Sequence, residues 1–235
     1  MTRRRWIADE VSETHAALLG EHADHLIRAL RARVGQEFDI ATGSAVRRGR
    51  IISIGEGRVE FELAEELRAH SLANVSLLLS IFKFDRMEWA IEKCTELGVA
   101  KIVPVIARRT DAHLAAASAK RVERWRRIAL QAAEQSRRPA AAEITTAMRL
   151  QEAVKFAGAP RIVLNESEQD GTLREVLFAH KGANQILLAI GPEGGWAEDE
   201  LQLFRNEGWI SASLGSTILR VETAAIAATA VTMAE

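Results

Sequence analysis

QILLAIGPEGGWAEDELQLFRNEGWISASLGSTILRVETAAIAATAVTMAE, residues 185–235, opens with Ile186-Leu187-Leu188-Ala189-Ile190, a short apolar run of the kind buried in a parallel sheet. The run stops at Gly191-Pro192-Glu193-Gly194-Gly195, where three glycines permit backbone conformations and close approaches that a side chain would block. A helix is expected from about Ala197 to Asn206, broken by Gly208, and then a second short strand from Ile210 to Leu214 that again stops at a glycine, Gly215. Ile218-Leu219-Arg220 and Glu222-Thr223 lead into an alanine-rich helix. Two strands thus end in glycine-bearing loops close together in sequence, and open α/β sheets bind ligands at the carboxyl ends of their strands. Taken alone, GxxGG also describes an ordinary strand-to-helix turn.

The pattern continues upstream. Val75 to Ile81 is another apolar strand, and Asp85 with Glu88 offers a D-x-x-E capping box for the helix that follows. That helix ends at Leu97-Gly98, and Lys101 to Ile106 is the next strand; this strand–helix–strand unit sets an α/β class with a parallel sheet. Lys120 to Arg138 is expected as one long helix, with Val122, Trp125, Ala129, Ala132 and Ser136 on an inward stripe and Pro139 at its end. Trp125 reads as core rather than as a base-stacking platform. Arg161 to Glu166 adds a strand whose polar end, Asn165-Glu166, is either an active-site edge or the start of a helix.

Residues 1 to about 70 read as a small, mainly β unit carrying one helix. His22 to Arg33 places Leu26, Ile27 and Leu30 at helical spacing, with Gly35 as a C-terminal stop. Gln36 to Ile40, Arg50 to Ile54 and Arg58 to Leu63 alternate like half-buried strands, and Gly55-Glu56-Gly57 is a hairpin turn. Short strands around one helix make a small barrel the expected form. Arg3, Arg4, Arg5, Arg28, Arg31, Arg33, Arg47, Arg48 and Arg50 are candidates for phosphate contact, though acidic residues here roughly balance them, as on a solvated surface. Ala64 to Ser71 is the expected boundary between domains 1–70 and 71–235.

The 235 residues suffice for one large domain or two modest ones. A net charge of −1 announces no nucleic-acid binder, so any RNA surface must come from local clustering. The only cysteine, Cys94, excludes an internal disulfide and reads as a small buried residue on a helix. The six histidines lack ligand spacing, so no metal is expected. Asp9, Glu10 and Glu13 interrupt any hydrophobic segment behind the Met1–Arg5 charge cluster, and no run approaches membrane-spanning length. A cytoplasmic protein is expected. Neither GxGxxG nor GxxxxGK[ST] is present, which argues against dinucleotide and P-loop sites.

LLAIGPEGGW (187–196) followed by SLGSTILRVETA (213–224) resembles the C-terminal signature of the ribosomal RNA small subunit methyltransferase E family. KFDRMEWAIEKCTELGVAKIVPV (83–105), RWRRIALQAAEQSRRP (124–139) and HADHLIRALRARVGQ (22–36) extend the resemblance over most of the chain. Members are SPOUT-class enzymes that use S-adenosyl-L-methionine (SAM) to methylate N3 of a uridine in 16S rRNA. The resemblance implies a SPOUT-type trefoil-knotted parallel-sheet domain behind a PUA-like RNA-binding barrel. It also implies a homodimer, to whose packing the small-residue helix Ala224–Met233 could contribute unless it is buried within one subunit, and a substrate that is 16S rRNA or the assembled small subunit. It carries SAM binding to Gly191, Gly194, Gly195, Leu214, Gly215, Ile218 and Leu219. Backbone approach to the ligand needs the glycines, and Ile218 and Leu219 would cover the adenine.

Removing the N3 proton of uracil leaves an anion, which Arg220 would stabilise, with Glu222 or Glu193 orienting it or taking the proton. An Arg220–Glu222 surface pair, or a carboxylate favoured at a helix start, is the competing account. Lys83 and Arg86, at the turn into a helix, are RNA- or SAM-side cations or a solvated loop. Gln135 and Arg138 of the QSxR segment are upstream site candidates by resemblance. Two departures stand out: Ser216-Thr217 replace the proline and arginine of LGPRxLR, and Ala197 replaces a Ser or Thr helix cap worth about 1 kcal/mol. A SPOUT enzyme acting at another RNA position and a non-catalytic RNA-binding protein are the alternatives.

Overall fold

Ile186–Ile190 lies at the centre of a parallel sheet in the computed structural model, which describes residues 5–43, 45–67, 74–168 and 171–234. The chain separates into two units, Met1–Ser71 with Ala133–Ala141, and Leu72–Ala132 with Ala142–Glu235. Of the expected boundary Ala64–Ser71, residues 64–67 still belong to the strand Arg58–Leu67 of the smaller unit, and 68–71 lie outside the described residues.

In the larger unit β7 (Asn74–Ser80), β8 (Lys101–Ile106), β9 (Glu143–Ile144), β10 (Met148–Arg149), β11 (Arg161–Leu164), β12 (Gln185–Ile190) and β13 (Ile210–Ala212) form one sheet; the strand order is β10-β8-β7-β12-β11-β13, β9 also lies along β8, and every pairing is parallel. The unalternated apolar run of β12 follows from this position, because both faces of the sheet are covered. Leu77, Leu79, Ile186, Leu188 and Ile190 face one side with residues of α2 (Phe84–Leu97), α3 (Ala112–Ala117), α4 (Val122–Gln135), α6 (Leu173–Ala179) and α8 (Val221–Ala234). Leu78, Val163, Leu187 and Ala189 face the other with α5 (Leu150–Ala153), α7 (Glu198–Asn206), Trp196 and Trp209. Each fully buried Leu or Ile contributes about 1.5–3 kcal/mol.

Trp125 is core, as its place on the helical stripe predicts: it is fully buried, edge-on to Phe84 at 5.9 Å. Trp125→Ala should therefore cost about 3–5 kcal/mol of stability. Trp125→Phe should cost clearly less, since the indole N–H has no acceptor among the described residues to lose; urea midpoints of the two variants measure the difference. Cys94 is also buried, and burial pushes its thiol up to about 12, a chemically inert group.

Three local expectations are corrected. Asp85 does not cap α2: Lys83 holds the cap position without a side-chain bond. Asp85 sits inside the first turn, and Glu88 instead accepts from Arg124 Nε at 2.7 Å. The long helix stops at Gln135, not Arg138. Arg137 takes φ +59, and the Arg138 and Arg137 amides bond back to the Ala133 and Glu134 carbonyls, a Schellman closure built on arginine rather than glycine. The N-terminal helix is shorter than expected, an α-turn α1 (Gly20–Asp24) running into a wider π-turn over His25–Ala29. Arg31 at φ +50, not Gly35, ends it; Gly35 belongs to the next hairpin, its amide bonded to the Ile51 carbonyl.

The smaller unit orders β1 (Arg5–Ile7), β2 (Glu10–Val11), β3 (His15–Leu19), β4 (Glu37–Ala41), β5 (Val46–Gly55) and β6 (Arg58–Leu67) as β1-β4-β5-β6-β3-β2. The β5–β6 hairpin turns at Glu56-Gly57, as read from sequence. β1 and β2 are halves of one segment: Ala8 N–H bonds to Ala41 on one edge, and Asp9 N–H to Ala17 on the other. These strands are too short for alternation to reveal. Leu18, Leu26, Ile40, Ile51, Val59 and Phe61 form the core. His22 lies between Asp9 and Glu134, at 3.1 and 3.4 Å, while burial pushes the Glu134 carboxyl up.

Candidate active site

In the larger unit a cavity of about 440 Å³ opens at the carboxyl ends of β11 and β12 and against the loop after β13. That volume lies in the range of small-molecule sites. Leu164, Ile190, Leu214 and Leu219 supply apolar wall; Arg109, Asn165 and Glu166 supply polar groups. β13 ends at Ala212 rather than Leu214 because Ser213 turns away to bond the Gly171 carbonyl and the Leu173 amide. Asn165-Glu166 forms the cavity edge and starts no helix: Asn165 Oδ1 accepts from the Ser167 amide, and α6 is capped later by Thr172.

The glycines have separate physical reasons. A Cβ on Gly191 would stand 3.2 Å from Trp196 Nε1, whose N–H donates to the Leu164 carbonyl at 3.0 Å. Gly195 combines φ +70 with a Cβ position only 3.1 Å from Glu166 Oε1. Of the positions carried over for cofactor binding, Gly191, Gly195, Leu214, Gly215 and Leu219 line the cavity. Gly194 is packed against Arg109, and Ile218 is 82% exposed; neither lines the cavity. Thr217 lines the cavity, while Ser216 is exposed.

Arg220 is exposed between the cavity-lining Leu219 and Val221, and its carbonyl accepts the Ala224 amide at 2.8 Å where α8 begins. The Arg220–Glu222 pair does not form. Arg86 instead stands between Glu222 and Glu193, its Nε 3.7 Å from Glu222 Oε1 and its Nη1 3.5 Å from Glu193 Oε1. Glu222 is only 5% exposed, and its second oxygen, Oε2, is buried and has no hydrogen-bond partner among the described residues. An unpaired buried acceptor is costly unless something else meets it. Three residues from separate sequence motifs thus meet at one place.

Ala197 occupies the cap of α7 with no side-chain acceptor, but half of a capping box survives. Glu200 Oε2 accepts the Ala197 amide at 2.9 Å, and its Oε1 accepts the Arg108 amide at 2.7 Å. Arg109 and Glu200 were not picked out from the sequence. Arg109 lies just past the end of β8, where the strand-end rule pointed; Glu200 has the spacing of a capping-box acid with no cap to announce it.

The remaining candidates belong to the smaller unit. Arg3 and Arg4 lie outside the described residues. Arg5 donates to the Arg137 carbonyl. Arg28 is largely exposed beside Asp24, and Arg31, Arg33 and Arg50 are exposed. Arg47 is committed to backbone carbonyls of Glu13 and Ala64, and Arg48 pairs with Glu37 and Asp39. Gln135 is exposed at the end of α4; Arg138 is partly buried, which lowers its guanidinium pKa, and neither lines the cavity. Among the described residues no group of His, Cys, Asp or Glu is arranged to hold a metal ion, and no helix is long and apolar enough to cross a membrane.

Residues 69–233 match the RNA methyltransferase domain family. The chain is 33% identical to the ribosomal RNA small subunit methyltransferase E of Mycobacterium bovis, covering 97% of this chain and 90% of that one. It is 30% identical to that of Rickettsia conorii, covering 91% and 87%. The crystal structure of the Neisseria gonorrhoeae ribosomal RNA small subunit methyltransferase E bound to SAM superposes with a TM-score of 0.83 at 28% identity, covering 97% and 96%. A Legionella pneumophila putative methyltransferase in complex with SAM gives 0.82 at 26% identity, covering 100% and 98%. The chain belongs to the ribosomal RNA small subunit methyltransferase E family.

Proposed function

We propose that this protein methylates small-subunit ribosomal RNA from SAM, and that its target atom is N3 of a uridine. The observation that carries the reading is the convergence of both glycine-bearing loops on one cavity beside Arg220 and the buried Glu222. The cavity fits SAM by size and by character: glycine backbone at Gly191, Gly195 and Gly215, with apolar cover from Leu214 and Leu219. Bound SAM supplies an activated methyl group on a sulfonium. The protein's own residues must expose a nucleophile to it. The N3 lone pair of neutral uracil is unavailable for attack, so a proton has to leave. In this reading Glu222 Oε2, or Glu193, accepts it, and Arg220 stabilises the charge that develops on a uracil oxygen. Arg86 holds the two carboxylates in place.

The N-terminal unit acts as a PUA-like barrel on RNA, supported by the way one segment, Arg5–Val11, pairs with both edges of its sheet. Arg28 and Arg31, with Arg5, Arg3 and Arg4, Gln135 and Arg138, are its proposed RNA contacts. The larger unit is the SPOUT domain with its C-terminal trefoil knot, a reading supported by β12 lying between β7 and β11 and by α8 returning onto α2. The protein works in the cytoplasm as a homodimer. Support for pairing comes from the groove between α2 and α8, where Trp89, half exposed, adjoins Leu97, Ile226 and Ala227.

Incubation with isotopically labelled SAM and small subunits or 16S rRNA lacking the modification, then nucleoside analysis, tests this. Labelled 3-methyluridine at one site is the expected result. Label at another base would retain the cofactor site and move the target. SAM binding without transfer would favour a non-catalytic RNA-binding protein.

A further inference from the structure

Arg109 sits in a closed turn: the Thr110 amide bonds to the Ala107 carbonyl at 3.1 Å, and the Ala107 amide to Thr110 Oγ1 at 3.0 Å. From there its side chain reaches the loop after β12. Nη1 donates to the Gly194 carbonyl at 2.5 Å and to the Trp196 carbonyl at 3.3 Å, so one guanidinium straddles Gly195, whose backbone is cavity wall. A charged donor on two carbonyls is among the stronger neutral-acceptor arrangements a side chain can make.

Gly194 is explained by the same contact. It does not need glycine for its backbone angles, since it is absent from the positive-φ positions. A Cβ there would stand 3.2 Å from Arg109 Cδ and 3.6 Å from its Cβ. An added Cβ would have to displace the Arg109 stem by a few tenths of an ångström, against the bonds its guanidinium makes to the two carbonyls. Gly194 therefore makes room for Arg109 rather than for a ligand.

A second link joins the same two segments, because Glu200 binds both the Arg108 and Ala197 amides. It fixes the start of α7; the Gly195 amide bonds to the Pro192 carbonyl and the Trp196 ring to the Leu164 carbonyl, and Arg109 is the side chain that holds the Gly194 and Trp196 carbonyls. We propose that Arg109 is a positioning residue for the cofactor: it sets the Gly194–Trp196 backbone before SAM enters, so that no binding energy is spent ordering the loop. The proposal rests on SAM being the ligand of this cavity.

Calorimetric titration of the full-length chain with SAM, together with KM for SAM and kcat on small-subunit rRNA, tests it on Arg109→Ala, Arg109→Lys, Gly194→Ala and the Arg109→Ala/Gly194→Ala double variant. Arg109→Ala should weaken SAM about tenfold and raise its KM in step, while kcat falls by less than about threefold. Lysine, which keeps one donor, should recover part of the loss. Gly194→Ala should reproduce the arginine's removal, and the double variant should be no weaker than Arg109→Ala alone, because the glycine matters only while the arginine is present. SAM affinity within about twofold of the parent in Arg109→Ala, or losses that add in the double variant, would overturn the proposal. If Arg109→Ala fails to fold, Gly194→Ala paired with Arg109→Lys carries the same comparison. A parent protein that does not bind SAM would overturn the cofactor reading itself, and this inference with it.

Discussion

Arg220→Ala is expected to slow methyl transfer about 10²- to 10³-fold, the range seen when one donor to a developing oxyanion is removed, while SAM affinity holds within about twofold. The side chain is exposed, and among the described residues no ion pair engages it. Its removal should therefore move stability by no more than about 0.5 kcal/mol, the usual scale for a surface substitution without partners. Loss of rate could not then be assigned to unfolding. The backbone is similarly safe, since the contact at the start of α8 comes from the Arg220 carbonyl, which alanine keeps. Arg220→Lys should fall between the two, retaining the charge but not the planar fork. Single-turnover rates at saturating SAM, with unfolding midpoints measured in parallel, make the comparison. Turnover equal to the parent in Arg220→Ala would remove this residue from the chemistry.

How far the sequence could be read depended on the range of the interaction involved. Ile186–Ile190 announced a buried parallel strand because burial on two faces demands an unbroken apolar run, and the structure puts it between β7 and β11. Trp125 was legible for a similar reason, through helical spacing alone. The cavity edge at Asn165-Glu166 was half legible: the strand-end rule pointed there, but nothing local distinguished it from a helix start. Asp85 shows a local rule losing to a distant partner, since the acid that should have completed its capping box is held by Arg124 on another helix. Arg137 and Arg31 end helices at positive φ, where sequence reasoning looks for glycine and so ran both helices too far. The arrangement of Arg86, Glu193 and Glu222 was out of reach in principle. Its members are spread along the chain, and only the folded sheet decides that Glu222 meets Arg86 rather than the neighbouring Arg220.

That choice of partner makes Glu222→Gln the more discriminating experiment, with turnover expected to drop about 10²- to 10⁴-fold, the contribution of a positioned proton acceptor. Two roles compete for this carboxylate. As a structural group it would sit in the first turn of α8, where the helix dipole favours negative charge, and hold Arg86 at 3.7 Å. As a proton acceptor it would use Oε2, which no donor among the described residues meets. Glutamine keeps the shape and an oxygen for Arg86, and it removes a buried charge whose ion pair is long. The structural role therefore predicts a modest change in unfolding midpoint with turnover nearly kept; the chemical role predicts the reverse, a stable protein that binds SAM and scarcely transfers methyl. Glu222→Asp refines the distinction, because it retains the charge but withdraws the carboxylate by one methylene, and should recover only part of the rate. Should Glu222→Gln turn over like the parent, the proton must leave by another group. Glu193 is then the remaining carboxylate on Arg86, and Glu193→Gln would show the loss instead.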